Sequence, residues 1–142
     1  MVEKLANMGF VEYIAPNDLY GVWNKVEPFI ADGLKKSAGE YDTSQIKVLL
    51  IQGAQHLLVM ADEYGMITGA IVIEFVNFPN QRVAFIVSIG GKNTKDIFES
   101  LVEWCKNQNA TAIRGCASEA VARLWRMQFG FNAPYLVVEK KL

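Results

Sequence analysis

The chain has 142 residues, a length typical of one domain with a single hydrophobic core. About half of the residues are hydrophobic (51%) and 20% are charged, a composition that excludes the disordered and fibrous classes. The net charge of -1 gives no electrostatic reason to expect a nucleic-acid partner, because phosphate binding needs concentrated lysine and arginine. We therefore expect one domain over residues 1–142 that binds no nucleic acid.

The first seven residues lack the basic start and apolar core of a signal peptide, and no apolar run approaches the roughly 18 residues of a membrane span. We therefore expect a cytoplasmic protein with no membrane partner. The two cysteines, Cys105 and Cys116, are too few for a disulfide framework and fall outside any CxxC spacing. Ordinary buried thiols and no metal site are the expectation.

The first half of the chain predicts one strand followed by two helices. Residues 10–14 alternate apolar with polar side chains, which is typical of a short strand. Apolar residues between positions 19 and 34 recur every three or four residues, which predicts an amphipathic helix that Pro28 should bend or split. Asp42-Thr43-Ser44-Gln45 is typical of a capping signal, so a second, shorter helix should follow and end at Gly53.

The middle of the chain is rich in strand-forming residues. Residues 56–61, a turn at 62–65 and the long run 66–75 predict a hairpin. After a break at residues 77–80, residues 82–89 predict a third consecutive strand. This part of the chain therefore predicts an antiparallel meander.

The rest of the chain predicts two helices alternating with strands. Thr94 and Ser118 are good N-caps for helices, the second of which should run through Phe129 and end at Gly130. Residues 111–116 predict the strand between these helices, and residues 135–139 predict a last strand. The first helix should connect strands 82–89 and 111–116 in parallel by a right-handed crossover.

The element order β-α-α-β-β-β-α-β-α-β resembles that of the GNAT superfamily of N-acetyltransferases over nearly the full chain. Residues 59–70 resemble the family's second and third strands, and residues 122–131 resemble its last helix, which commonly closes in Gly-Phe. Residues 22–28 and 136–142 are similar to small GNAT-like proteins encoded by tailed phages and prophages. The resemblance implies an α+β fold with a central mixed sheet, an antiparallel N-terminal meander, a parallel pair of fourth and fifth strands, and helices on both faces.

In GNAT domains the fourth strand splays from its parallel neighbour, and the pantetheine arm of acetyl-CoA fills the gap. The resemblance therefore implies coenzyme-binding residues at the end of that strand and in the following loop: Val87, Ser88, Ile89, Gly90, Gly91, Lys92, Asn93 and Thr94. The glycines permit close backbone approach, and helix amides with a nearby cation favour an anion. The family's loop has separated glycines and these are adjacent, so a simple strand-to-helix turn is the alternative interpretation.

Acetyl transfer to an amine needs one group that accepts a proton and another that protonates the leaving thiolate. Glu74 is the candidate base, because a carboxylate in the apolar run 71–76 is suited to this role if it faces the cleft. Strand side chains alternate, and the alternative is that Glu74 faces solvent from the other side of the sheet. The position of the family's usual tyrosine on the last helix falls on Arg126, which can bind an anion or steady developing charge but cannot give up its proton.

The resemblance implies an N-acetyltransferase that uses acetyl-CoA, an amine acceptor of unknown identity and, as is common in the family, a homodimer. If the chain is phage-encoded, its location would be the host cytoplasm. The alternative is a GNAT-fold binding or structural protein that has lost transfer chemistry. The missing tyrosine and the altered loop favour this alternative, whereas the Gly-Gly-Lys-Asn-Thr turn favours the enzyme.

Overall fold

A computed structural model describes residues 9–142 of the chain. In chain order its elements are β1 (Phe10–Ile14), a 3-10 turn (Pro16–Asp18), α1 (Leu19–Leu34), α2 (Thr43–Ile51), β2 (His56–Ala61), β3 (Ile67–Asn77), β4 (Arg82–Gly91), α3 (Lys95–Asn107), β5 (Ala112–Gly115) and α4 (Glu119–Phe129). The predicted order of elements is therefore confirmed as far as α4. No helix in this part of the chain is both long and apolar enough to cross a membrane.

The five strands form one mixed sheet in the order β1-β2-β3-β4-β5. The strands β1 to β4 form an antiparallel meander, and β5 pairs with β4 in parallel after the crossover through α3. This arrangement confirms the expected antiparallel half and the parallel pair of fourth and fifth strands. It places the two strands of the expected coenzyme site side by side.

Helices cover both faces of the sheet, as expected. On one face, Trp23, Val26 and Ile30 of α1 pack with α2 against alternate residues of β2 and β3. On the other face, Ile97 and Leu101 of α3 pack against the intervening residues of the strands. This division follows from the period of two along a strand, which sends successive side chains to opposite faces.

Side-chain caps fix where three of the helices begin. At α2, the Asp42 carboxylate accepts a bond from the amide of Gln45 at 2.9 Å, and the Gln45 side chain accepts one from the amide of Asp42 at 2.9 Å. Thr94 caps α3 and Ser118 caps α4 in the same manner, each by accepting from the amide three residues later. The predicted caps are confirmed, and they satisfy amides that the first helical turn leaves without partners.

The helix α1 continues through Pro28, so the predicted split does not occur. Proline removes the bond that the carbonyl of Asn24 would otherwise accept. Both residues lie on the exposed side of α1, where water can serve that carbonyl instead. Burial of Trp23, Val26 and Ile30 on the opposite side holds the helix against the sheet.

The prediction of a last strand at residues 135–139 is wrong, because the chain after α4 has no regular secondary structure. A strand needs a hydrogen-bonded neighbour, and β5 pairs only with β4 in the described sheet. The consecutive apolar residues Leu136, Val137 and Val138 are 83%, 75% and 89% exposed. The β-forming composition of this segment is therefore not matched by a pairing partner within residues 9–142.

Candidate active site

The strands β4 and β5 lie side by side over only part of their lengths. Their pairing runs from Val83 with Ala112 to Ile86 with Gly115 and stops there. The strand β4 continues to Gly91 with no strand partner on that side among the described residues. The space between residues 87–91 and the chain beyond Gly115 is called the wedge below. Its β4 edge presents backbone groups that no strand uses.

A β-bulge marks the point where the wedge opens. Ser88 pairs with Val72 and Ile86 pairs with Ile73, so Val87 is an extra residue on β4. A bulge of this kind bends the strand and increases its local twist. The bulge therefore coincides with the end of the pairing between β4 and β5 at Ile86.

The side chains of residues 87–89 serve packing. The hydroxyl of Ser88 is buried and donates to the carbonyl of Ile30 at 3.1 Å, which ties β4 to α1. Val87 packs on the α1 side of the sheet, and Ile89 packs on the α3 side. Any contribution of Ser88 to a ligand in the wedge is therefore made by its backbone.

Gly90 and Gly91 are the last two residues of β4, so the prediction that this strand ends at Ile89 is wrong. A side chain on Gly90 would overlap the carbonyl oxygen of Phe29 in α1, and one on Gly91 would overlap the carbonyl oxygen of Thr68 in β3. Gly91 also has φ of 102°, which strains other residues. Close packing against α1 and β3 is thus a sufficient reason for both glycines, and the loop proper shrinks to residues 92–94.

The loop and the start of α3 can accommodate an anion. Lys92 is exposed, and the side-chain oxygen of Asn93 is buried without a hydrogen-bond partner among residues 9–142. Thr94 accepts from the amide of Ile97 at 3.3 Å, which leaves other first-turn amides of α3 available. Helix N-termini carry a partial positive charge, and Asn93 can present either its oxygen or its nitrogen to a ligand.

Aromatic side chains fill the α3 side of the wedge. Phe98 stacks on Phe129 with ring centroids 4.4 Å apart, and Trp125 lies 5.2 Å from Phe131. The ring of Trp125 also lies beside Gly115, where an added Cβ would be 3.6 Å from it. No water-sized space remains between these residues. These rings therefore leave little room for a long ligand on this side of the wedge.

Glu74 is half-buried on the α1 side of the sheet. Its carboxylate accepts from the amide nitrogen of Gln55 at 3.4 Å, and Gln55 itself is fully buried. Glu74 pairs with Phe85, one position before Ile86, so it lies near the closed end of the wedge with β4 between them. The structure does not bring Glu74 to the loop at residues 92–94, and its role as a base stays a prediction.

A cavity of about 580 Å³, called the β5 cavity below, lies where β5 gives way to α4. Sequence reasoning singled out Arg126 but missed Arg114, a charged residue inside the short strand β5 whose neighbours come from distant parts of the chain. Both side chains line this cavity, together with Arg123. Gly115 and Cys116 also line it, so it lies directly beside the open end of the wedge. Cys116 is exposed, so the prediction of a buried thiol is wrong at this position.

Two groups with perturbed pKa values lie away from the wedge. Burial raises the pKa of the Cys105 thiol in α3 to about 11, so this thiol stays protonated at neutral pH. Burial, and then the charge of Arg82, lowers the pKa of His56 below 6.5. His56 packs 5.4 Å from the ring of Phe75. Both groups are explained by packing, and neither faces the loop at residues 92–94.

Several solved structures similar to this chain are acetyltransferases. An aminoglycoside acetyltransferase from an uncultured soil metagenomic sample, in complex with sisomicin, matches with a TM-score of 0.70 at 12% identity, over 98% of this chain and 99% of that one. A ribosomal-protein-alanine N-acetyltransferase from Brucella melitensis biovar Abortus 2308 matches with 0.66 at 13%, over 94% and 99%. An acetyltransferase from Trypanosoma brucei matches with 0.60 at 14%, over 94% and 99%.

No family model and no curated protein sequence matches the chain. The similarity to these enzymes is therefore a similarity of backbone structure. At these sequence identities it shows the fold and nothing further. Both the mixed sheet with its parallel β4 and β5 and the near-complete coverage agree with that likeness. The chain has the fold of the GNAT acetyltransferases.

Proposed function

We propose that the chain is a GNAT-type N-acetyltransferase that moves the acetyl group of acetyl-CoA to an amine. The observation that carries this proposal is the wedge, in which β4 runs on to Gly91 after its pairing with β5 has ended at Ile86. Unpaired backbone N–H and C=O groups along such an edge can bond to the amides of an extended ligand, as a neighbouring strand would. The fold of the similar acetyltransferases supports the same conclusion at a coarse level.

The residues around the wedge fit acetyl-CoA. The backbone of residues 87–89 would hold the pantetheine arm, and Lys92, Asn93 and Thr94 at the start of α3 would hold the diphosphate. The side-chain oxygen of Asn93 is buried and has no partner within the described chain. With the amide turned by about 180°, its N–H2 group would occupy that position and donate to the diphosphate. Bound there, acetyl-CoA supplies an activated thioester carbonyl. Gly90 and Gly91 would contribute through their backbone only.

Transfer forms a carbon–nitrogen bond, breaks the carbon–sulfur bond and releases a proton from the amine nitrogen. Because β4 separates Glu74 from the wedge, Glu74 would take this proton through an ordered water. Backbone amides near the bulge at Val87 would polarise the thioester oxygen. Arg126 cannot act as an acid, so the leaving thiolate would take its proton from water.

A GNAT-fold binding or structural protein without transfer chemistry is the second candidate. The packing of Trp125, Phe129 and Phe131 into the wedge favours it, because these rings occupy space beside the coenzyme's path. Replacement of the family's tyrosine by Arg126 favours it as well. The phage origin, the cytoplasmic location and the homodimer stay predictions from the resemblance under either candidate.

Thermal unfolding with and without millimolar acetyl-CoA separates the two candidates. A ligand at one hundred times its dissociation constant stabilises a protein by roughly 2.7 kcal/mol, so the enzyme should melt at a clearly higher temperature. The Trp125→Ala variant enlarges the wedge. If acetyl-CoA raises the melting temperature of this variant but not that of the wild-type protein, Trp125 keeps the coenzyme out of the wild-type wedge. The binding or structural candidate is then favoured.

Acetyl transfer itself is measured by the loss of thioester absorbance with a panel of amines. Replacing Glu74 by glutamine should slow the reaction by about 100-fold, the usual contribution of a general base. Glu12→Gln is the matched control, because Glu12 is an exposed carboxylate on β1. An unchanged rate in Glu74→Gln would remove Glu74 from the mechanism while leaving the coenzyme site in place.

A further inference from the structure

The β5 cavity concentrates positive charge. Arg114, Arg123 and Arg126 line it, and Glu119 is the one carboxylate among its lining residues. The whole chain carries a net charge of -1, so this excess is local. Concave, single-sign surfaces of this kind raise the local concentration of ligands of the opposite charge.

Arg114 is held in place by neutral groups. Its guanidinium donates to the hydroxyl of Tyr135 at 3.0 Å and to the side-chain oxygen of Gln81 at 3.4 Å. It also lies 5.5 Å from the ring centroid of Tyr135 and 6.0 Å from that of Phe78. These contacts orient the side chain without neutralising its charge, and an oriented guanidinium can bind two oxygens of a carboxylate or phosphate at once.

None of the three arginines has a carboxylate partner among residues 9–142. The one ion pair within 4.0 Å in the described chain joins Lys141 and Glu139, outside the cavity. Arg114 is half-buried, and a partly desolvated cation without a counter-ion lowers the stability of the fold. A bound anion would remove this penalty. With a volume of about 580 Å³, the cavity falls in the range of sites for small molecules.

The position of the cavity connects it to the transfer site. Gly115 and Cys116, where β5 leaves β4, form part of its wall, and so does Trp125. We propose that the β5 cavity binds the anionic group of the acceptor, so that the acceptor is an amine that also carries a carboxylate or phosphate, such as an amino acid or an acidic peptide end. This inference rests on the proposed function, since it places the acceptor's amine toward the wedge.

Direct binding tests the cavity without any transfer. Succinate is titrated calorimetrically into the full chain, with uncharged succinamide as the comparison ligand. We expect succinate to bind, succinamide not to bind, and Arg114→Gln to weaken succinate by about tenfold or more, the loss typical of a charge-assisted bond. Arg126→Gln should also weaken it, and because Arg126 is exposed this variant folds even if Arg114→Gln does not. Lys36→Gln, which removes an exposed charge elsewhere, should bind as the wild type does.

Kinetics then distinguish the acceptor from the coenzyme as the source of the anion. An amino acid should be acetylated with a KM about tenfold or more below that of its amide, and Arg114→Gln should abolish this preference. If the variant instead raises the KM for acetyl-CoA but not for acetyl-dephospho-CoA, the arginines serve the coenzyme's phosphate and the acceptor assignment is overturned. Succinate binding that is absent, or equal in all variants, overturns the cavity itself. Arginine-dependent succinate binding in a chain with no transfer would refute the acetyltransferase and the acceptor role while keeping the anion site.

Discussion

The contact between Gly90 and α1 predicts a large loss of stability on replacing this glycine by alanine. A Cβ at Gly90 would overlap the carbonyl oxygen of Phe29, so α1 would have to retreat from β4 by more than about 1 Å to restore ordinary contact. Overpacking of this kind costs 1–3 kcal/mol, and a clash between two backbones belongs at the upper end, about 3 kcal/mol. At about 4 °C per kcal/mol for a chain of this length, the melting temperature should fall by about 12 °C.

Gly21→Ala is the matched control, because Gly21 lies on the exposed side of α1 with nothing within 4 Å of an added Cβ. Alanine in a helix is more stable than glycine by about 0.5–1 kcal/mol, so this variant should melt slightly higher than the wild-type protein. The measurement is thermal unfolding followed by circular dichroism. A Gly90→Ala protein that melts normally but no longer responds to acetyl-CoA would refute the packing explanation and return Gly90 to the coenzyme site.

Three further measurements probe other parts of the chain. A thiol reagent at pH 8 should modify exposed Cys116 and spare Cys105, whose pKa burial raises to about 11; mass spectrometry that finds Cys105 modified first would contradict this. The pKa of His56 is lowered in the folded protein, so the unfolded chain binds a proton first as the pH falls. The free energy of unfolding should therefore decrease as the pH drops below about 6.5. His56→Gln should make the melting temperature nearly constant between pH 7.5 and 5.5, and an unchanged pH dependence would contradict the assignment. Asp42→Ala should cost about 1 kcal/mol in urea unfolding through the lost cap of α2, whereas exposed Asp32→Ala should cost little, and equal losses would discount the cap.

The order of elements could be predicted because its signals are local. The capping pair Asp42 and Gln45 and the caps Thr94 and Ser118 each act within four residues, and the structure contains all of them. The apolar periodicities of α3 and of the strands are equally local. Prediction failed where a distant segment decides the outcome, as at Pro28, where burial of the opposite side of α1 keeps the helix whole.

The candidate site was only partly predictable for the same reason. Adjacent glycines indicate close approach, but the sequence does not say that the approaching groups are Phe29 and Thr68 rather than a phosphate. Likewise, the arginine in β5 acquires its partners from Gln81 and Tyr135, which are 33 and 21 residues away along the chain. The order of elements in the sequence predicts where the wedge lies. Which side chains pack into it depends on contacts between residues far apart along the chain.

The bulge at Val87 links the packing of β4 to the chemistry proposed for the wedge. Ala84 and Ile86 face α3, so regular alternation would send Ser88 to that apolar face, where its hydroxyl would be buried among hydrocarbon side chains. The extra residue reverses the alternation, and Ser88 instead donates to Ile30 on α1. The same reversal coincides with the end of β5 pairing at Ile86, so the bond that docks α1 stabilises the strand conformation in which the wedge stays open. A serine within the apolar run 83–89 is thus the feature of the sequence that indicates the bulge.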